Sequence, residues 1–257
     1  MGIRERGGSV VQPWVLGSRP KPHKVTLQYT INSEIDYEGA LLALEDADVA
    51  DISFNGNKVT ERLDGYYVDI SIEKFRLGNI RKGENTLEIT LPFGETANLE
   101  SVFILGAFGV KVNGCDTTVT ALPEKLSFGS LLSQGLPFYG GAVTYKMKGT
   151  TDNGTLTVTA SDYMGALIEV SVDGKEAGSI IYPPYTLEIK GLSEGEHQVD
   201  VKLYTHRYNS FGPVHLVNVK ESWHGPGAWR SEGINWSYEY VFRTTGILKT
   251  PGIKSIV

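Results

Sequence analysis

The sequence has little of what disulfide-stabilised, membrane-spanning or nucleic-acid-binding proteins require. It holds one cysteine, Cys115, among 257 residues, which excludes a disulfide within the chain and a zinc cluster built on several cysteines. No stretch approaches the roughly 18 consecutive apolar residues that span a membrane. Lysine and arginine number 24 against 30 acidic residues, for a formal charge of -6. Because basic runs are also absent, we expect no nucleic-acid partner and no membrane partner.

Residues 1–23 are predicted to form an N-terminal extension. The opening Met-Gly-Ile-Arg-Glu-Arg lacks the apolar segment of a signal peptide, so none is expected in this chain. The sequence does not predict the cellular compartment, since a complete chain would be cytoplasmic whereas a longer parent protein could be exported. The following Gly-Gly-Ser-Val-Val-Gln-Pro-Trp reads like the tail of an earlier element, and both a complete chain and a piece of a longer protein fit this opening.

The hydrophobic pattern predicts an all-β fold. Glycine is abundant, at 30 residues, and Asn-Gly and Asp-Gly turns recur along the chain. From Val25 to Ile31 apolar and polar residues alternate, which is typical of a strand with one buried face. Similar runs follow about every 8 to 15 residues, as expected for an all-β chain. The last predicted strand lies between Ser237 and Arg243, and segments with helical periodicity are scarce.

An internal repeat indicates two domains of the same type. Residues 52–57 and 170–175 each end a strand in an Asn-Gly or Asp-Gly hairpin, and Gly-Glu turns at 83 and 195 each begin another strand. Matching segments are separated by 112 to 119 residues. We therefore predict two tandem antiparallel β-sandwiches. The predicted domains are residues 24–135 and 136–257.

The second half carries an ordered set of motifs. It has Val-Ser-Val-Asp-Gly-Lys at 170–175, Tyr-Pro-Pro-Tyr-Thr-Leu-Glu-Ile at 182–189 and Leu-Ser-Glu-Gly-Glu-His-Gln-Val at 192–199. This set resembles the sugar-binding jelly-roll domain of family 2 and related glycoside hydrolases, within the galactose-binding-domain-like group. The first half resembles a more diverged copy. The whole chain looks like the C-terminal region of large bacterial glycoside hydrolases of the α-L-rhamnosidase-like kind, without a counterpart of their catalytic barrel.

This resemblance implies a non-catalytic accessory module. Such domains either bind an oligo- or polysaccharide or only brace the catalytic domain of a parent glycoside hydrolase, and fold alone does not distinguish the two. Some members hold a structural calcium, to which Asp46, Asp48 and Asp51 could contribute. Otherwise we expect no metal and no cofactor.

Candidate ligand-binding residues concentrate between His206 and Trp236, where the alternating pattern stops. Three of the four tryptophans lie there. Sugars present apolar C–H faces flanked by hydroxyls, so a sugar site needs aromatic rings for stacking and polar side chains for hydrogen bonds. The predicted ligand-binding residues are His206, Tyr208, His215, Trp223, His224, Trp229 and Arg230.

Several of these residues have a structural interpretation as well. Trp223 and Trp229 fit docking against a neighbouring domain equally well. His206 and His215 could be satisfied by backbone carbonyls, and we do not expect them to form a zinc site.

Trp236 and three turn residues of the segment are expected to be structural. Trp236 is predicted to open the last strand and to pack in the core. Asn209, with Gly212 and Pro213, is expected to hold a turn between a strand and a loop, because these residue types suit turn backbone.

An enzymatic role is the remaining alternative. Glycoside hydrolysis requires two carboxylates across a cleft, and Glu221 and Glu232 flank the tryptophan-rich loop. The sequence holds no Gly-x-Ser-x-Gly and no His-Glu-x-x-His motif. We therefore predict no catalytic residues. The alternatives to sugar binding are a purely structural docking module and a small β-sandwich glycosidase or lyase.

Overall fold

A computed structural model of the chain describes residues 20–94, 97, 99, 101–217, 228–229 and 232–255. Strands account for 52% of the structure and helices for 5%, which confirms the all-β prediction. The helical segments of the described residues are two single 3-10 turns, Ala47–Val49 and Leu132–Gln134, and one α-helical turn, Tyr208–Phe211. None of these is long and apolar enough to cross a membrane.

The described residues divide into two compact units. One unit comprises those within Met1–Leu122 and His215–Glu239, and the other comprises those within Pro123–Val214 and Tyr240–Val257. The candidate segment near the C-terminus is therefore shared between the units. The predicted domain limits, 24–135 and 136–257, stay a prediction.

The first unit contains two sheets built from ten described strands. The strands are β1 (His23–Ser33), β2 (Tyr37–Leu44), β3 (Asp51–Phe54), β4 (Asn57–Lys58), β5 (Arg62–Tyr67), β6 (Asp69–Ile80), β7 (Gly83–Phe93), β8 (Phe103–Leu105), β9 (Phe108–Asn113) and β10 (Asp116–Ala121). One sheet has six strands in the order β4-β3-β7-β1-β10-β9, and the other has four in the order β5-β6-β2-β8. Pairing is antiparallel except between β1 and β10.

The second unit contains three sheets, all antiparallel. The strands are β11 (Ala142–Thr151), β12 (Leu156–Thr159), β13 (Tyr163–Met164), β14 (Leu167–Val172), β15 (Lys175–Ile180), β16 (Thr186–Ile189), β17 (Gly195–Tyr204), β18 (Gly246–Ile247) and β19 (Gly252–Ser255). Their orders in the three sheets are β11-β17-β14-β15, β16-β12-β19 and β13-β18.

Each unit has its own hydrophobic core, formed by the apolar side chains that alternate with polar ones along the strands. Leu87 and Ile89 of β7 pack with Leu42 of β2 in the first core. Val201 of β17 packs with Val170 of β14 in the second. Successive side chains of a strand point to opposite faces, so one face of each sheet is buried in a core.

The strand predicted between Ser237 and Arg243 is wrong. Residues 237–245 form no strand, and the two C-terminal strands begin later, at Gly246 and Gly252. The chain passes from the first unit to the second between Glu239 and Tyr240. A period-two pattern indicates extended chain, but a strand also requires a neighbouring strand to pair with.

Candidate functional site

The predicted site residues fall into three groups. His206 and Tyr208 belong to the second unit, and His215 and Trp229 belong to the first. Trp223, His224 and Arg230 lie outside the described residues.

His206 follows strand β17 and contacts a backbone carbonyl. Its Nε2 lies 3.0 Å from the oxygen of Thr244, which places the ring proton on Nε2, since a carbonyl only accepts. The Nδ1 atom is buried and has no hydrogen-bond partner among the described residues. The contact is the backbone hydrogen bond that the structural interpretation of His206 predicts.

Tyr208 and Asn209 lie in the one-turn helix and both contact Arg243. Tyr208 contacts its side chain, and Asn209 contacts its backbone. The Arg243 guanidinium lies 3.8 Å from the centre of the Tyr208 ring, in cation–π geometry. Asn209 is buried, and its Oδ1 accepts from the Arg243 N–H at 2.9 Å while its Nδ2 donates to the Arg243 carbonyl at 2.9 Å. Asn209 therefore has a structural role, but not the turn predicted for it: it lies in the one-turn helix and bonds to the backbone of residue 243.

In the first unit, three ring-bearing side chains lie side by side. Nδ1 of His215 is 3.0 Å from the Ser237 carbonyl oxygen, and the His215 ring is tilted 39° from Trp236 at 6.4 Å between centres. Trp236 meets Tyr238 edge to face at 4.3 Å. Tyr238 thus packs one side of its ring against Trp236, while 74% of the residue is exposed to solvent.

The predicted burial of Trp236 in the core is wrong. Trp236 is half-buried, and its backbone forms an isolated bridge with Leu216 in place of a strand. Tyr238 was therefore missed as a candidate ligand-binding residue. The aromatic alternation Trp236, Tyr238, Tyr240, Phe242 was visible in the sequence, but this pattern equally suits a buried strand.

Exposed apolar side chains are frequent in the part of this segment that belongs to the first unit. Trp229 is 53% exposed, Ile234 95% and Val217 50%. Glu232 and Glu239 are exposed as well. The segment therefore offers aromatic rings for stacking and carboxylates that accept hydrogen bonds.

The acidic residues considered for catalysis or metal binding are not assembled into a described site. Glu232 is exposed, and Glu221 lies outside the described residues. Asp48 pairs with Arg62 at 3.2 Å, and Asp51 pairs with Lys58 at 3.1 Å. Within the part of the chain that the structure describes, no group of three His, Cys, Asp or Glu side chains could hold a metal ion.

The chain is similar to solved structures of two known proteins. No family model and no curated protein matches the chain. The rhamnosidase of Novosphingobium sp. PP1Y is 13% identical with a TM-score of 0.33, and the match covers 89% of this chain and 22% of that one. The α-L-rhamnosidase of Streptomyces avermitilis, complexed with L-rhamnose, is 14% identical with a TM-score of 0.30 over 91% of this chain and 24% of that one. The chain spans less than a quarter of either enzyme.

Proposed function

We propose that this chain is a non-catalytic accessory module of a glycoside hydrolase, and that it binds carbohydrate through aromatic side chains of the segment 215–239. The observation that carries the proposal is the exposure of Trp229 and Tyr238, at 53% and 74%. Large aromatic rings at a protein surface supply the apolar faces on which sugar C–H groups stack. The exposed carboxylates of Glu232 and Glu239 supply acceptors for sugar hydroxyls.

The surroundings of Tyr238 support a stacking role. Its ring rests on Trp236 at 4.3 Å, and Trp236 in turn lies beside His215. A ring that already packs against another ring loses less conformational entropy when a ligand covers it than a ring without such a contact. Stacking on one or two rings alone makes binding weak and reversible.

Isothermal titration calorimetry of the full chain tests the proposal against a panel of plant and host polysaccharides and their oligosaccharides. We expect Trp229→Ala and Tyr238→Ala each to weaken binding about tenfold or more, the equivalent of ~1.4 kcal/mol. Trp223→Ala extends the test to a predicted residue outside the described ones. The matched control is Tyr182→Ala, which removes an aromatic ring that is 79% exposed in the second unit. A null result across the whole panel contradicts sugar binding.

A docking module is the second candidate, and Ile234 favours it. This residue is 95% exposed, and an aliphatic side chain gives a sugar no ring to stack on, whereas it suits a protein interface. The expected partner is the catalytic domain of the parent hydrolase, sought in the reading frame upstream of Met1. Under this alternative no glycan binds, and Ile234→Asp weakens the complex with that domain.

The exposure of Glu232 supports the non-catalytic proposal. Glycoside hydrolysis places two carboxyl groups on either side of a cleft that holds the sugar, whereas Glu232 is exposed to solvent. We expect no turnover of chromogenic glycosides by the full chain. Turnover that Glu232→Gln or Glu221→Gln abolishes overturns the proposal.

A further inference from the structure

The two copies of the sequence repeat contain hairpin turns with the same backbone geometry. Asn55, between β3 and β4, has a φ of 51°, and Asp173, between β14 and β15, has a φ of 50°; a left-handed glycine follows each. The N–H of Asn55 donates to the carbonyl of Thr86 at 2.8 Å, and that of Asp173 donates to the carbonyl of Gln198 at 2.9 Å. In return, the N–H groups of Thr86 and Gln198 donate to the side-chain Oδ1 of the turn residue, both at 2.9 Å.

In the first unit a buried asparagine completes this arrangement. Nδ2 of Asn55 donates to Oδ1 of Asn85 at 2.9 Å. Nδ2 of Asn85 donates to the carbonyl of Arg81, four residues earlier, at 2.7 Å. We name the side-chain pair Asn55/Asn85 the first turn clamp. An amide group both donates and accepts, so this clamp forms without any ionised group.

In the second unit a buried histidine occupies the equivalent position. Nε2 of His197 lies 2.9 Å from the carbonyl of Ser193, again four residues earlier, and Nδ1 lies 2.6 Å from Oδ2 of Asp173. The His197 side chain is 5% exposed and the Asp173 side chain 52%. We name the pair Asp173/His197 the second turn clamp.

With Asp173 ionised, the second turn clamp requires a protonated histidine. Both ring nitrogens of His197 face oxygen atoms that accept, and a neutral imidazole has only one N–H. Both hydrogen bonds therefore form together when the ring is an imidazolium and Asp173 is a carboxylate. The half-exposed carboxylate gives the pair access to solvent protons.

The surrounding charges favour this ionised pair. The hydrogen bond to Asp173, and after it the Ser193 carbonyl, raises the pKa of His197 above its ordinary value, against the effect of burial. The hydrogen bond from His197 lowers the pKa of Asp173, and the Gln198 N–H and the Lys175 charge act in the same direction. Among the other charged groups near this end of β17, Lys148 pairs with Glu196 at 2.7 Å. Glu194 is exposed to solvent.

We propose that the second turn clamp holds the β14–β15 hairpin against the start of β17 most tightly when His197 is protonated. This hairpin therefore opens more readily as pH rises above neutral, whereas the β3–β4 hairpin does not. Stabilisation by a histidine whose folded pKa is raised is complete below the unfolded value of ~6.5 and is lost as pH rises through the folded pKa. Stabilisation by Asp173 is complete above ~3.9 and is lost as pH falls through its lowered pKa. The clamp is therefore strongest between about pH 4 and 6.5.

Hydrogen exchange of the full chain, followed by NMR from pH 5.5 to 8.5 and corrected for intrinsic exchange rates, tests the proposal. The amide of Gln198 reports on the second turn clamp, and that of Thr86 reports on the first. We expect the protection of Gln198 to fall with rising pH, and that of Thr86 to stay constant. The fall approaches tenfold for each unit by which the folded pKa of His197 exceeds ~6.5.

The chain itself supplies the matched variant. The double substitution Asp173→Asn with His197→Asn copies the first turn clamp, and we expect it to remove the pH dependence at Gln198. A direct NMR titration of the His197 ring in the unsubstituted chain accompanies the double variant. If that variant does not fold, the titration alone tests whether the folded chain keeps His197 protonated above its ordinary pKa. A ring pKa at or below the ordinary value overturns the proposal, as does equal pH dependence at Gln198 and Thr86.

Discussion

Two adjacent stretches of the candidate segment use similar residue types in opposite ways. In residues 206–214, His206 and Asn209 bond the backbone of residues 243 and 244, and the Tyr208 ring lies under Arg243. In residues 215–239, Trp229 and Tyr238 leave most of their surface in solvent. Aromatic and polar composition therefore marks a region as a candidate site, but the surroundings of each side chain decide whether a ligand can reach it.

The largest effect is expected for Asn209→Ala. This substitution leaves the N–H and the carbonyl of Arg243 without the bonds that Asn209 supplies, at ~1 to 3 kcal/mol for each group. We expect the free energy of unfolding to fall by about 2 to 4 kcal/mol in urea denaturation. Asn209→Asp keeps the acceptor for the Arg243 N–H but sets a buried carboxylate oxygen against the Arg243 carbonyl, so it should lose at least as much. The exposed Asn32 provides the control, since Asn32→Ala should change stability by less than ~0.5 kcal/mol.

A smaller effect is expected for Tyr208→Leu. The substitution removes the ring under the Arg243 guanidinium, and a cation–π contact is worth about 0.5 to 1 kcal/mol at a partly exposed site. Thermal unfolding should report a modest destabilisation, and Tyr208→Phe should keep most of the contact. If Tyr208→Leu weakens sugar binding while stability is unchanged, residues 206–214 bind ligand as well, which contradicts a purely structural role for them.

The smallest effect on stability is expected for Tyr238→Ala and Trp229→Ala. Exposed side chains contribute little to folding, so we expect changes within ~0.5 kcal/mol for each variant. The same two substitutions are the ones expected to weaken sugar binding. Unfolding curves measured beside the calorimetry separate the two readouts, and a loss of several kcal/mol would place these rings in a structural role instead.

Strand positions were well predicted wherever a turn signal bounded an alternating run. Val25–Ile31 lies within β1, and the repeat motifs at 52–57 and 170–175 form the β3–β4 and β14–β15 hairpins. The run at 237–243 failed because it forms only single backbone hydrogen bonds, to His215 and Val214, and pairs with no strand among the described residues. Composition singled out the segment 206–236 as a candidate site, but it did not distinguish the buried Asn209 from the exposed Tyr238.

The all-β class and the two hairpin turns of the repeat follow from the sequence alone, because alternation and Asn-Gly or Asp-Gly turns act over a few neighbouring residues. What those turns contact depends on how distant strands pair in the folded chain. Strand pairing brings Asn85 against Asn55 and His197 against Asp173 across more than twenty residues of chain. One clamp is therefore neutral and the other ionised, a difference that arises from long-range packing around a shared local motif.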